Sequence, residues 1–242
     1  MTPLPAQSLN TPPALQHRGC DGCVGRTHCP FSVLPANLLA ASPVVERSFQ
    51  KGDVLQVQGE VEPVFRVVKV GSFLLKRRGP DRCVRPVALL GSGYMLGLFA
   101  LAGGSNNVTC VATSGGRWCE LNVDTLTHAY LSHAEFRDRV AAVYGRTFAR
   151  VADWSHVTRI RGIVGQVAGA LLLLMQTQRS EVVQLPGQAD LAELLGTRRE
   201  TVARVLGQLE AQGALVRRDR RHCEVREQAL LELVGSGQPT LV

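Results

Sequence analysis

Three thiols, Cys20, Cys23 and Cys29, lie within ten residues of irregular, glycine-containing chain. Thiolates are soft ligands, and four of them are the usual complement of a zinc site or an iron–sulfur centre, so a fourth should come from elsewhere in the fold. Cys83, Cys110, Cys119 and Cys223 are the candidates. Clustered cysteines in a reducing compartment point to metal binding or redox chemistry rather than to disulfides. His17, Arg18, Arg26 and His28 surround the triplet with groups able to favour thiolates, or stand there as solvated loop residues. Cys110, between Thr109 and Val111, reads as a small buried hydrophobe, and Cys83 and Cys223 have no partner in sequence.

A second constellation lies far down the chain. Leu191, Leu194 and Leu195 precede Gly196, and Val202, Val205, Leu206 and Leu209 follow it, which is the pattern of two short helices joined by a glycine turn. Arg199, Glu200 and Arg204 open the second helix, flanked by Arg198 and Thr201, and Glu200 and Arg204 share a face. In a major groove an arginine donates twice to guanine and a glutamate accepts from cytosine N4. Thr197 and Glu200 also fit a capping box, which would stabilise the helix start with no DNA involved. Beyond Gly213 a basic tip, Arg217 to Arg221 with Asp219 in its middle, joins two short strands, and Arg218 and Arg220 there suit phosphate contacts. From Ser180 to Arg226 eight Arg face seven Asp and Glu, so local pattern favours DNA more than net charge does.

Positioning these residues needs two kinds of scaffold. Between Val44 and Asn122, β-branched runs at Val44–Phe49, Val54–Gln58, Val64–Leu75, Cys83–Leu90 and Val108–Ala112 predict a small all-β sandwich or barrel. Val140, Tyr144, Phe148, Val151 and Trp154 then recur at three and four, predicting a long amphipathic helix, and Val157, Ile160, Val164, Val167, Leu171 and Leu174 predict another. The two stripes are expected to meet near Asp153 to His156. Prolines at 3, 5, 12 and 13 predict a flexible arm over residues 1–19.

Composition adds bounds. The chain has 242 residues, 45% of them hydrophobic and 19% charged, and a net charge of +7. No secretory signal precedes the fold and the longest apolar stretch, Ala168 to Met175, is too short to span a bilayer, so a cytoplasmic protein without membrane contact is expected. No nucleophile–base set or phosphate loop is present, so no enzyme is expected.

The recognition-helix stretch Gly196-Thr-Arg-Arg-Glu-Thr-Val-Ala-Arg-Val-Leu206, with the order of β domain, long helix and winged module, resembles the CRP/FNR family of transcription regulators over about residues 20 to 235. The resemblance implies an α+β fold: an N-terminal cyclic-nucleotide-binding-like β-barrel (jelly roll), a long dimerisation helix and a C-terminal winged helix-turn-helix. The expected divisions are a 1–19 arm, a 20–134 sensor with the cysteine segment, a 135–155 dimerisation helix and a 156–242 DNA-binding domain. It further implies a homodimer on palindromic double-stranded DNA, with RNA polymerase as partner and activation as one mode of action. Ala203 before Arg204 and Arg199 before Glu200 resemble the CRP reading head more than the FNR one, so a TGTGA-type half-site is expected over a TTGAT-type one.

The cysteine triplet followed by Pro30 and Phe31 resembles the cluster segment of FNR proteins, whose fourth ligand lies in a context matched here by Cys119-Glu120-Leu121-Asn122-Val123-Asp124-Thr125-Leu126. That resemblance implies a 4Fe-4S cluster on Cys20, Cys23, Cys29 and Cys119, sensing oxygen or nitric oxide. Spacing alone leaves zinc or a thiol–disulfide switch open, and a haem or other small effector is a further alternative, though His128 and His133 fall near the long helix without a recognisable pocket. The stretch Gly97 to Thr109 has neither the Glu nor the Arg that the family uses to hold a cyclic nucleotide, so none is expected.

Overall fold

A computed structural model describes residues 14–15, 20, 22–23 and 25–235. Most of the expected 1–19 arm, with His17 and Arg18, lies outside the described residues. The described part departs from a free arm, because Ala14–Leu15 form a short strand, β1, that pairs antiparallel with β2, Ala14 opposite Arg47. The chain divides into two compact units between Ala149 and Arg150, with Pro86–Ala88 grouping with the second.

The first unit holds two sheets. After a 3-10 turn (Pro30–Val33) and α1 (Ala36–Ala41) come β2 (Val45–Phe49), β3 (Val54–Gln56), β4 (Val64–Val70), β5 (Phe73–Arg78), β6 (Val84–Leu90), β7 (Met95–Leu96), β8 (Thr109–Ala112) and β9 (Gly116–Asn122). One sheet has the order β1-β2-β9-β4-β7 and the other β3-β8-β5-β6. The expected single run Val64–Leu75 is two strands, broken at Gly71. That residue has φ of +108°, and a Cβ there would fall 2.7 Å from the Phe49 ring, so only glycine fits the turn.

One strand, β9, escapes the sequence pattern. Its Arg117 and Glu120 interrupt the apolar run, yet it is the central strand of the first sheet. Both charges are paired, the exposed Arg117 with buried Glu46 at 2.9 Å and the buried Glu120 with Arg47 and with Arg66. Ion pairing is what lets a buried strand carry them.

Beyond β9 the chain enters α2 (Val123–Ser132) and then α3 (Ala134–Val157), the expected long helix. The second unit continues with α4 (Ile163–Gln178), β10 (Val182–Gln184), α5 (Gln188–Leu194), α6 (Arg199–Ala211), β11 (Leu215–Arg217), β12 (His222–Val225) and α7 (Glu227–Gly235). Its sheet has three strands in the order β10-β12-β11, one more than the sequence suggests. The break between the helical stripes falls at Thr158–Gly162 rather than near Asp153 to His156. Val157 and Ile160 keep phase with α4 because they pack onto it: a Cβ on Gly169 would lie 2.6 Å from Ile160 and 3.5 Å from Val157.

Gly169→Val would overfill that contact. A loss of about 1–3 kcal/mol is expected, read as a lower denaturant midpoint of the full chain. Among the described residues no helix is long and apolar enough to cross a membrane.

Candidate functional site

The cysteine segment is a succession of tight turns. The Cys23 N–H donates to the Cys20 carbonyl at 3.2 Å, Arg26 to Cys23 at 3.0 Å and Cys29 to Gly25 at 2.9 Å. The Ser32 hydroxyl bridges the carbonyls of Arg26 (2.8 Å) and Cys29 (2.7 Å). The 3-10 turn then buries Phe31 against Phe65, ring centres 5.9 Å apart. Both rings join a core cluster with Cys119 and Leu121 of β9 and Phe136 and Val140 of α3, and Cys29 packs against it. Arg139 of α3 also donates to the Thr27 carbonyl. The loop thus rests on the sheet and on the first turns of the long helix together.

Cys119 occupies the middle of β9, opposite Glu46 on one side and Val67 on the other. Burial pushes the Cys29 thiol up to about 11, with the Cys20 and Cys23 sulfurs adding to the rise. Burial likewise pushes Cys119 up to about 12, with Glu46 and the Cys29 and Cys23 sulfurs adding. Cys29 therefore lies within electrostatic range of Cys20 and Cys23, and Cys119 within range of Cys29 and Cys23. At neutral pH Cys29 and Cys119 are thiols, so taking up a metal requires proton release. Among the described residues no three Cys, His, Asp or Glu side chains converge closely enough to hold a metal ion. The donors are right in type and number and share one neighbourhood, and ligation would draw them closer.

Beside them sits a charged set that sequence reading missed. Glu46, only 2% exposed, accepts from Lys69 at 3.0 Å and from Arg117 at 2.9 Å. Burial works against the Lys69 charge, but Glu46, Cys119 and Cys23 outweigh it and raise its pKa. The other cysteines lie elsewhere: Cys83 is exposed, Cys110 is wholly buried on β8, where burial raises its pKa with Glu62 adding, and Cys223 is buried on β12 in the second unit.

In the second unit, Gly196 turns the chain between α5 and α6 with φ of +64°. Val202, Val205, Leu206 and Leu209 are buried, which fixes the opposite face of α6 outward. Arg198, Arg199, Glu200 and Arg204 are exposed and Thr201 is half-buried. The capping box does not form: the helix starts at Arg199, its N-cap is Arg198, and no side chain caps it. The start falls one residue later than a Thr197 cap requires, so Glu200 is not consumed by the helix end.

The wing is built on Asp219, which accepts from the Arg221 and His222 N–H groups at 2.6 and 2.8 Å and lies 2.8 Å from His222 Nδ1. These bonds, those from the backbone foremost, hold its carboxyl at about 2. Arg217 pairs with Glu210 at 3.2 Å and Arg218 with Glu224, whereas Arg220 and Arg221 form no ion pair among the described residues. The tip therefore presents Arg220 and Arg221 to a polyanion more freely than Arg218.

Residues 165–234 match the family model of the Crp-like helix-turn-helix domain. The cyclic AMP receptor protein of Thermus thermophilus is 29% identical over 200 residues, 82% of this chain and 92% of the relative. The chain therefore carries a Crp-like helix-turn-helix domain. Two solved structures share its fold. FixK2 from Bradyrhizobium japonicum aligns over 78% of this chain and 96% of its own at a TM-score of 0.68 and 22% identity. A CRP-family transcriptional regulator from Thermus thermophilus aligns over the same shares at 0.63 and 21%.

The expected dimerisation stripe proves to be two faces. Val140 and Trp154 are buried within the protein at 4% and 1% exposure, whereas Tyr144 and Phe148 stand out at 51% and 72%, with Val151 half-buried. Steps of four rotate the stripe outward and steps of three rotate it back, so one spacing pattern straddles both sides. Phe136 and Val140 hold the cysteine loop. Tyr144 and Phe148, with Ala141 and Ala152, form the outward face.

Proposed function

We propose that this DNA-binding regulator senses oxygen or nitric oxide through a 4Fe-4S cluster held by Cys20, Cys23, Cys29 and Cys119. The observation that supports the reading is that Cys29 packs on the core cluster that holds Cys119 together with Phe136 and Val140 of α3, with Cys20 and Cys23 on the loop just before it. When bound, the cluster would supply an air-labile crosslink between loop and sheet. The protein's own part is to register that crosslink. Phe31 and the Arg139–Thr27 bond pass the position of the loop to the helix whose outward face carries Tyr144 and Phe148. A shift from about 1% to 99% in the active form needs about 5.5 kcal/mol of differential stabilisation, within reach of four metal–thiolate bonds.

In the proposed active form two copies pair through α3 and set two α6 helices on a palindrome, with half-sites about one helical turn apart. From there the protein recruits or blocks RNA polymerase. Phe148→Asp should then halve the mass measured by light scattering and remove binding to the palindrome, while the folded content stays constant.

Cyclic-nucleotide control is disfavoured by the lack of Glu and Arg in Gly97–Thr109. In addition, Asn106 of that segment is buried and paired with Glu62. The reading is tested by anaerobic purification with metal analysis, followed by DNA binding before and after air. A brown protein with iron whose DNA affinity changes as it bleaches supports it. A colourless zinc protein, or unchanged affinity, overturns it.

A further inference from the structure

The Lys69–Glu46–Arg117 set has no part in the reading above, and its position relative to Cys119 is fixed by strand register. Glu46 of β2 lies directly opposite Cys119, and Arg117 lies two residues before it on the same face of β9. Lys69 lies two residues beyond Val67, the other cross-strand partner of Cys119. Its ammonium is held 3.0 Å from one Glu46 oxygen while Arg117 sits 2.9 Å from the other. Glu46 is 2% exposed in a core that is otherwise apolar on this face. Burying the Glu46 carboxylate costs free energy that an apolar residue of similar volume would not, so its place calls for a reason beyond packing.

We infer that Lys69 is the charge-compensating residue of the cysteine centre, and that Glu46 is the positioning residue that holds its ammonium beside Cys119 and Cys23. The inference rests on the four-cysteine reading. Four thiolates around one or several metal ions leave a net negative charge, and in a poorly solvated core a fixed neighbouring cation offsets it. A lysine on a flexible stem would otherwise swing its charge into water. The Glu46 bond prevents that, at the cost of a negative charge close to the thiols, and Arg117 offsets that second charge in turn. The centre thus meets a net positive surround with its nearest cation immobilised.

Charge and scaffold roles predict different signs. Binding of cobalt(II) to the full-length, metal-free protein under anaerobic conditions, followed by thiolate-to-cobalt absorption, reads the site without any iron. Lys69→Met should weaken cobalt binding about tenfold or more, Lys69→Arg should keep it within a factor of about three, and Glu46→Gln, whose amide oxygen can still accept from Lys69 while the negative charge is gone, should leave it equal or tighter. The midpoint potential of the iron-loaded protein should fall in Lys69→Met and rise in Glu46→Gln. If both Lys69→Met and Glu46→Gln weaken cobalt binding and move the potential the same way, the set is a scaffold and the inference is wrong. If wild-type protein takes up neither cobalt with thiolate absorption nor iron, the four-cysteine reading itself fails and takes this inference with it.

Discussion

Cys119→Ala, prepared without oxygen, is expected to lose visible absorption and bound iron almost completely and to bind DNA with an affinity that no longer responds to air. The loss should be total rather than graded because three remaining thiols on one turn-rich loop leave the centre without its anchor in the sheet. Folding should survive. Cys119 is a small side chain in a cluster that also holds Phe31, Phe65, Leu121 and Phe136, and trimming one sulfur costs little beside those. Circular dichroism and the elution volume check that point. Cys83→Ala, at an exposed hairpin position, should leave iron content and air response as in the wild type. Cys110→Ala tests the competing choice of fourth ligand: should it strip the iron while Cys119→Ala keeps it, the assignment moves to β8 and the role given to β9 is wrong.

How far these sites could be read from sequence depends on what each residue signals locally. The reading head was legible because α6 advertises itself twice, through the buried series Val202, Val205, Leu206, Leu209 and through the glycine turn before it. The helix starts at Arg199 as expected, and only the capping box fails to form, since a Thr-x-x-Glu spacing records a possible cap but not the backbone path that decides it. Cys119 was reached by resemblance, not by pattern, because Arg117 and Glu120 disguise β9 as a loop. Their partners Glu46, Arg47 and Arg66 lie about fifty to seventy residues away, and no local period reports such pairing.

The sheet interior repeats that lesson. Arg66 bonds Glu62 and Glu120 and stacks over Trp118 at 5.2 Å, and Trp118 donates to Glu120 at 3.0 Å. A polar network of this kind turns several apparently outward charges inward, which is why the β runs were found but their boundaries were not. On α3 the failure was of another sort. The period was right, but one stripe served two faces, one holding the cysteine loop and one left exposed. That sharing is what makes the helix suited to couple them.

On the DNA side the largest effects should come from Glu200 and Arg204. Each side chain is exposed and free of capping and ion pairing among the described residues, and under the proposed function each would read one base edge, a contact that contributes about 1–3 kcal/mol of discrimination. Glu200→Ala and Arg204→Ala should therefore each lower affinity for the specific site by about 5- to 150-fold and relax preference at a single base pair, while affinity for random DNA hardly changes. Because no side chain caps α6, neither change should lower the unfolding midpoint, and that separates reading from folding. Arg220→Ala should behave differently, weakening all sequences alike and reducing the salt dependence by about one counterion, as expected of a phosphate contact on a wing tip. Fluorescence anisotropy on TGTGA-type and TTGAT-type half-sites, each in palindromic form and over a range of salt, distinguishes these outcomes. Equal losses on specific and random DNA in Glu200→Ala would return that residue to the role of surface charge, and a wild-type preference for TTGAT would show that the reading head follows the sensor's branch of the family after all.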